Sequence, residues 1–196
     1  MMGRCVGLVI GALLILASVN TPEVTAAPSI LELMKRPGHI SLMRHAWAPF
    51  EGAPKPDSPG YNNPNDCSTQ RNLDDVGRKQ ARRLNGVFAE AGLAFEHIYT
   101  SVWCRCQETA DLIAGRKIDV LPQLNSFFRR PVENEIRQLA QLRIFLNGLK
   151  QTDRALLVTH GSFITALAKI DTAETEVVVI KRDGRGGFEV VGHGVP

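Results

Sequence analysis

Short apolar runs of strand length alternate along this chain with segments whose apolar residues return every three or four positions, and that alternation leaves few folds open. Residues 39–43 (His-Ile-Ser-Leu-Met), 96–101 and 154–158 read as strands. After the first of them, Val76, Gln80, Leu84, Val87, Phe88 and Ala91 fall at helical spacing, with Asp74 placed to cap the helix and Gly92 to stop it. Shorter helices are expected over 29–34, 105–114 and 162–169. The apolar residues at 136, 139, 142, 146 and 149 predict a longer one over 132–149. Residues 176–180 and 187–191 flank Asp183-Gly184 as a terminal hairpin, and 119–128 holds an extended segment with an irregular turn. Strands that alternate with helices pack as a mainly parallel sheet covered on both faces. The expected fold is therefore α/β: a three-layer αβα sandwich with a mainly parallel central sheet and a C-terminal hairpin.

Such a fold predicts where a site lies, because ligands bind outside the carboxyl ends of the strands. The first run ends in Arg44-His45, the second in Ser101 with Arg105 just beyond, and the third in Thr159-His160. Singly these residues say little, since an isolated Arg-His pair is common and a strand-end histidine usually bonds to backbone. Together, two guanidinium groups and two imidazoles should converge on one rim. Arginine is permanently charged and its planar fork matches phosphate oxygens. Phosphoryl transfer asks mainly for positioning and charge stabilisation, and a neutral imidazole is a competent nucleophile that forms a covalent intermediate. His45 is the candidate nucleophile, with Arg44, Arg105 and His160 binding the phosphoryl group. A protonated His160 would add a further donor. This chemistry needs no metal or other cofactor, and neither is expected.

The 196 residues, 44% apolar and 22% charged, suit one globular domain. A net charge of +3 gives no reason to expect nucleic acid as a partner. Arg78, Lys79, Arg82 and Arg83 have no interleaved aromatics and read as a solvated helix face. Residues 1–27 have the layout of a signal peptide: a basic start, an apolar or small run over 5–17, then Asn20 and Pro22, then the small residues Thr25-Ala26-Ala27. Residues 28–196 are then the mature domain, exported, and periplasmic if the source has two membranes. A retained N-terminal membrane anchor is the alternative. No second run of that kind follows, so no membrane span is expected after signal cleavage. Cys67, Cys104 and Cys106 then sit in an oxidising compartment, where Cys67 bridges to Cys104 or to Cys106 and one thiol is left over. A Cys-x-Cys spacing with one more cysteine is a poor zinc ligand set.

The run Leu42-Met43-Arg44-His45-Ala46 resembles the nucleophile motif of the histidine phosphatase superfamily, in its phosphoglycerate mutase-like branch. Residues 72–81 (Asn-Leu-Asp-Asp-Val-Gly-Arg-Lys-Gln-Ala) are similar to that family's first helix. Residues 101–110 are similar to its second arginine motif, and Leu157-Val158-Thr159-His160-Gly161 to the segment with its second histidine. The four pieces run in the family's order. The resemblance implies that His45 is phosphorylated, that Arg44, Arg105 and His160 form the phosphate pocket, and that Asp74 and Gly77 are a helix cap and a close-packing position. His39, His97 and His193 match no motif. Two departures stand out. Ala46 replaces the usual glycine, and residues 124–128 (Leu-Asn-Ser-Phe-Phe) lack the glutamate that protonates the leaving group in many members. Candidate acids are Glu51, Asp57 and Asp66 in the Pro- and Gly-rich loop over 48–66, and Glu133 and Glu135 beyond.

The expected function is an exported, metal-independent phosphatase that hydrolyses phosphomonoesters through a phosphohistidine on His45. Its substrate would be a small phosphorylated molecule, and likeness to an exported subgroup suggests a phosphorylated envelope sugar. The alternatives are a phosphohistidine phosphatase acting on phosphoproteins and an anion-binding protein with a degenerate site.

Overall fold

The structure, a computed structural model, describes residues 27–50, 66–128 and 131–196. The signal segment, Glu51 and Asp57 lie outside them. The elements in order are α1 (Ile30–Lys35), β1 (His39–Arg44), α2 (Asp75–Glu90), β2 (His97–Thr100), α3 (Cys104–Ala114), α4 (Val132–Asn147), β3 (Ala155–Thr159), α5 (Gly161–Ala168), β4 (Val177–Arg182) and β5 (Phe188–Gly194). They form an α/β sandwich around a five-stranded sheet ordered β2-β3-β1-β4-β5. The β2–β3 and β3–β1 junctions are parallel; β1–β4 and β4–β5 are antiparallel, so the sheet is mixed. The expected C-terminal hairpin is present and extends the sheet beside β1. Val177, Val178, Val179 and Ile180 are all buried, as a strand covered on both faces requires.

Period-two alternation divides the core. Met43, Leu156, Val158, Val177 and Val179 pack with α1, α2 and α3, whereas Ile40, Leu42, Leu157, Val178 and Ile180 pack with α4 and α5. Because both faces are covered, the strand ends form an open edge where polar groups can gather.

Sequence and structure differ at two elements. Over 119–128 only a single parallel bridge forms, Thr100 to Val120, followed by a 3₁₀ turn over Pro122–Leu124. In α4 only Leu142 and Leu146 are buried, while Ile136 is 65% exposed. Helix α2 follows expectation more closely. Asp74 Oδ1 accepts from Gly77 N (2.9 Å) as its cap, and Lys79, Arg82 and Arg83 are exposed. A Cβ on Gly77 would sit 2.0 Å from the Trp47 carbonyl oxygen, so only glycine admits this approach. Gln80 Oε1 accepts from Trp47 N (2.8 Å), which fastens α2 to the chain just past β1.

Candidate active site

The ends of β2, β3 and β1 lie side by side because β3 runs between the other two. His45 N donates to Thr159 O (3.0 Å) and Ser101 N to Val158 O (3.0 Å), which carries the register one residue past the strands. His45, Ser101 and His160 therefore leave the sheet at one level. Arg105 joins them from the first turn of α3, whose start is fixed twice. Cys104 N donates to Gln70 Oε1 (2.9 Å), and Cys104 is bridged to Cys67. This disulfide decides between the two pairings open in the sequence and leaves Cys106 buried and unbridged. Thr109 Oγ1 donates to Arg105 O (2.7 Å) and accepts from Ala46 N (3.1 Å), so one hydroxyl ties the two arginine motifs together.

At the centre, Arg105 is 1% exposed, His45 2% and His160 3%. The His45 Nδ1 lies 2.7 Å from the Ala46 carbonyl, which only accepts, so Nδ1 holds the proton and Nε2 keeps its lone pair. Arg105 Nε donates to that Nε2 at 3.0 Å, and its Nη2 donates to His160 Nδ1 at 3.1 Å. The proton of neutral His160 is then on Nε2, which donates to Ser101 Oγ (2.9 Å). Ser101 Oγ in turn donates to Asn125 Oδ1 (3.0 Å). One guanidinium thus bridges two imidazoles whose rings are 5.5 Å apart and steeply inclined. Burial first, and then the charge of Arg105, pushes both histidines well below the ordinary imidazole range. Both rings are thus held neutral. A protonated His160 therefore requires a bound anion to favour the charge.

Arg44 differs from Arg105. It is half-buried. Its Nη2 pairs with Glu174 Oε1 (2.6 Å) and its Nη1 donates to Thr172 O (2.5 Å). Arg71, 5% exposed, adds a third guanidinium. It donates to Ala48 O (2.7 Å), stacks over Phe50, and its charge reaches both histidines.

Of the candidate acids, the three among the described residues, Asp66, Glu133 and Glu135, do not join the cluster. Asp66 accepts from Ser68 N (3.0 Å) and Ser68 Oγ (2.6 Å) as the cap of a short 3₁₀ turn. Glu133 and Glu135 lie in the first turn of α4. Among the described residues no carboxylate hydrogen-bonds to His45 or His160. Where a glutamate was missed in the sequence, Asn125 and Ser126 bond to Ser101 and Ser162 instead. The three remaining histidines have local partners: His39 with Pro37 O, His97 with Asp153 and His193 with Glu176. No group of three or more His, Cys, Asp or Glu side chains is placed to hold a metal among the described residues.

Arg71, Ser101, Asn125 and Glu174 escaped the sequence reading of the site. Ser101 offered a signal, as the last residue of a predicted strand. The others come from loops with no apolar period, and only the folded backbone brings them in.

Residues 42–135 match the sequence model of the histidine phosphatase superfamily (branch 1). No curated protein matches the chain. Solved structures do. The protein histidine phosphatase SixA complexed with tungstate is 17% identical, with 81% of this chain and 97% of that one covered and a TM-score of 0.56. Phosphoserine phosphatase of Entamoeba histolytica in complex with 3-phosphoglyceric acid is 14% identical, with coverages of 81% and 97% and a TM-score of 0.57. A Thermus thermophilus protein is 20% identical, with coverages of 81% and 99% and a TM-score of 0.54. Likeness at these identities establishes the shared fold.

Proposed function

We propose that this chain, which belongs to branch 1 of the histidine phosphatase superfamily and is a phosphatase of that class, hydrolyses phosphomonoesters through a phosphohistidine on His45. The observation that carries this reading is the unprotonated Nε2 of His45, which accepts at 3.0 Å from a buried guanidinium that also reaches His160. A nucleophile must be unprotonated, and burial keeps this ring so.

In the first step a phosphoryl group displaces the imidazoles as the acceptor for Arg105, and His45 Nε2 bonds to phosphorus. The bond from phosphorus to the leaving oxygen breaks. Arg44, Arg105 and His160 hold the equatorial oxygens, with Arg71 adding charge. In the second step water attacks phosphorus, the phosphorus–nitrogen bond breaks, and inorganic phosphate forms as water gives up a proton. Asp66 is committed to its cap, which leaves Glu51, Asp57, Glu133 and Glu135 as the carboxylates available to protonate the leaving alcohol. A general acid is worth about 10²–10⁴ in rate. Export is part of the proposal, supported by the residues of 1–27 and by a disulfide beside the site. Among the described residues no helix is long and apolar enough to cross a membrane. A phosphorylated envelope sugar suits that compartment as substrate.

A second reading, a phosphohistidine phosphatase, is favoured by Asn125 and Ser126 standing where a carboxylate was expected, because an imidazole departs without strong acid assistance. Exposure of the mature protein to a phosphodonor should leave acid-labile phosphate on it and none on His45→Ala. Turnover of an aryl phosphate by His45→Ala would overturn the mechanism. A panel of sugar phosphates, nucleotides and phosphohistidine peptides separates the two readings.

A further inference from the structure

The Arg44–Glu174 pair is unexpected in a pocket assigned to anions, because a carboxylate there opposes the ligand. The turn that presents Glu174 is closely built. Thr175 N donates to Arg44 O (3.2 Å) and Arg44 N donates to Glu176 O (3.1 Å), so the turn is fastened to the backbone of the residue it serves. Ala173 N donates to Glu176 Oε2 (2.8 Å), which closes the turn on itself. Thr175 has φ +62°, a left-handed conformation that a β-branched residue adopts only when its surroundings impose it. Both charged side chains are 23% exposed, so the pair is neither a surface decoration nor sealed in the core. Arg44 Nε is buried with no partner among the described residues, so the pair with Glu174 leaves one donor of the guanidinium unused.

We propose that Glu174 is a positioning and release residue. It holds Arg44 in place while the pocket is empty and competes with the phosphoryl group for that guanidinium, so that inorganic phosphate leaves readily. This rests on the reading that the pocket receives phosphoryl groups. A bound dianion draws Arg44 away from the carboxylate. After hydrolysis Glu174 reclaims it, and the product loses one of its charged partners.

The test is inorganic phosphate binding to the mature protein by calorimetry, with product inhibition of aryl phosphate turnover measured in parallel. Glu174→Gln keeps an oxygen that can accept from Arg44 and removes the charge. It should bind phosphate about tenfold more tightly and show stronger product inhibition. Glu174→Ala removes the prop as well, and circular dichroism confirms that both variants fold. Unchanged or weaker phosphate binding by Glu174→Gln would overturn the release role. Weaker binding by Glu174→Ala alone would leave only a prop for Arg44, which also overturns it. Failure of the unmodified protein and both variants to bind phosphate would instead sink the phosphate-pocket reading beneath it.

Discussion

The start of α3 and the end of β1 each deliver an arginine to the same rim, and the two arginines are treated in opposite ways. At α3, Arg105 is sealed from water, two of its donors reach neutral rings, and a disulfide, a glutamine and a threonine fix its backbone. At the end of β1, Arg44 is half-buried, and a carboxylate from the turn before β4, next to a left-handed Thr175, answers its charge. Two arginines that look equivalent in a motif therefore have different physical roles. In the proposed mechanism both give up a partner to the phosphoryl group: Arg105 leaves neutral rings, whereas Arg44 leaves a carboxylate.

Three measurements can break or sharpen this contrast. The largest effect is expected from Arg105→Ala, which should lower kcat/KM by about 10³-fold, as loss of a preorganised donor in a dry site does. Arg44→Ala should lower it by about 10-fold to 100-fold, since part of that charge is already neutralised. Equal losses in the two variants, by steady-state kinetics on an aryl phosphate, would erase the distinction.

Next is the disulfide. Cys67 and Cys104 are 37 residues apart, and a loop of that size implies that Cys67→Ser costs about 3–4 kcal/mol in urea unfolding. Residual activity should fall through Arg105 while the Arg44–Glu174 pair stays intact. Phosphate affinity lost equally in Cys67→Ser and in Cys67→Ser/Arg44→Ala would show that the loop supports the wrong arginine.

The smallest effect concerns pH. Both rings have folded pKa values below the unfolded value of 6.5, so below pH 6.5 the unfolded chain binds protons that the folded one does not. Stability is therefore complete above about pH 6.5 and falls as pH drops beneath it, by up to about 1.4 kcal/mol per pH unit for each ring. His45→Gln should flatten that slope by one ring's share in unfolding measurements from pH 7 to 5. An unaltered slope would mean that His45 is not held neutral.

Much of the architecture is legible in the sequence because strand runs and helix periods report burial directly. The apolar stretches at 40–43 and 155–158 could only be covered strands, and their ends named Arg44, His45 and His160. Gly77 was readable as a close approach, and Cys67 as one end of a bridge. What escaped was set by packing between distant segments. Ile136 has the right spacing for a buried face, yet α4 turns Leu142 and Leu146 inward and leaves Ile136 in water. The sheet became evenly mixed because the Val177–Ile180 run is apolar on both faces and so lies inside the sheet, a consequence of composition that hairpin spacing alone does not express. Glu174 could not be read at all. It lies 130 residues from Arg44 and meets it only through a turn held in an unfavourable conformation.

The winding of α3 also governs which sulfurs can meet. Residues two apart on a helix point to different sides, so once the helix exists Cys104 faces the loop that carries Cys67, and Cys106 is delivered under His160 with its thiol beyond reach. A chain oxidised before that helix forms has two wrong pairings open to it, both of which use the thiol meant for the interior. A chain oxidised afterwards has one pairing left. Helix formation ahead of oxidation would thus favour the Cys67–Cys104 pairing.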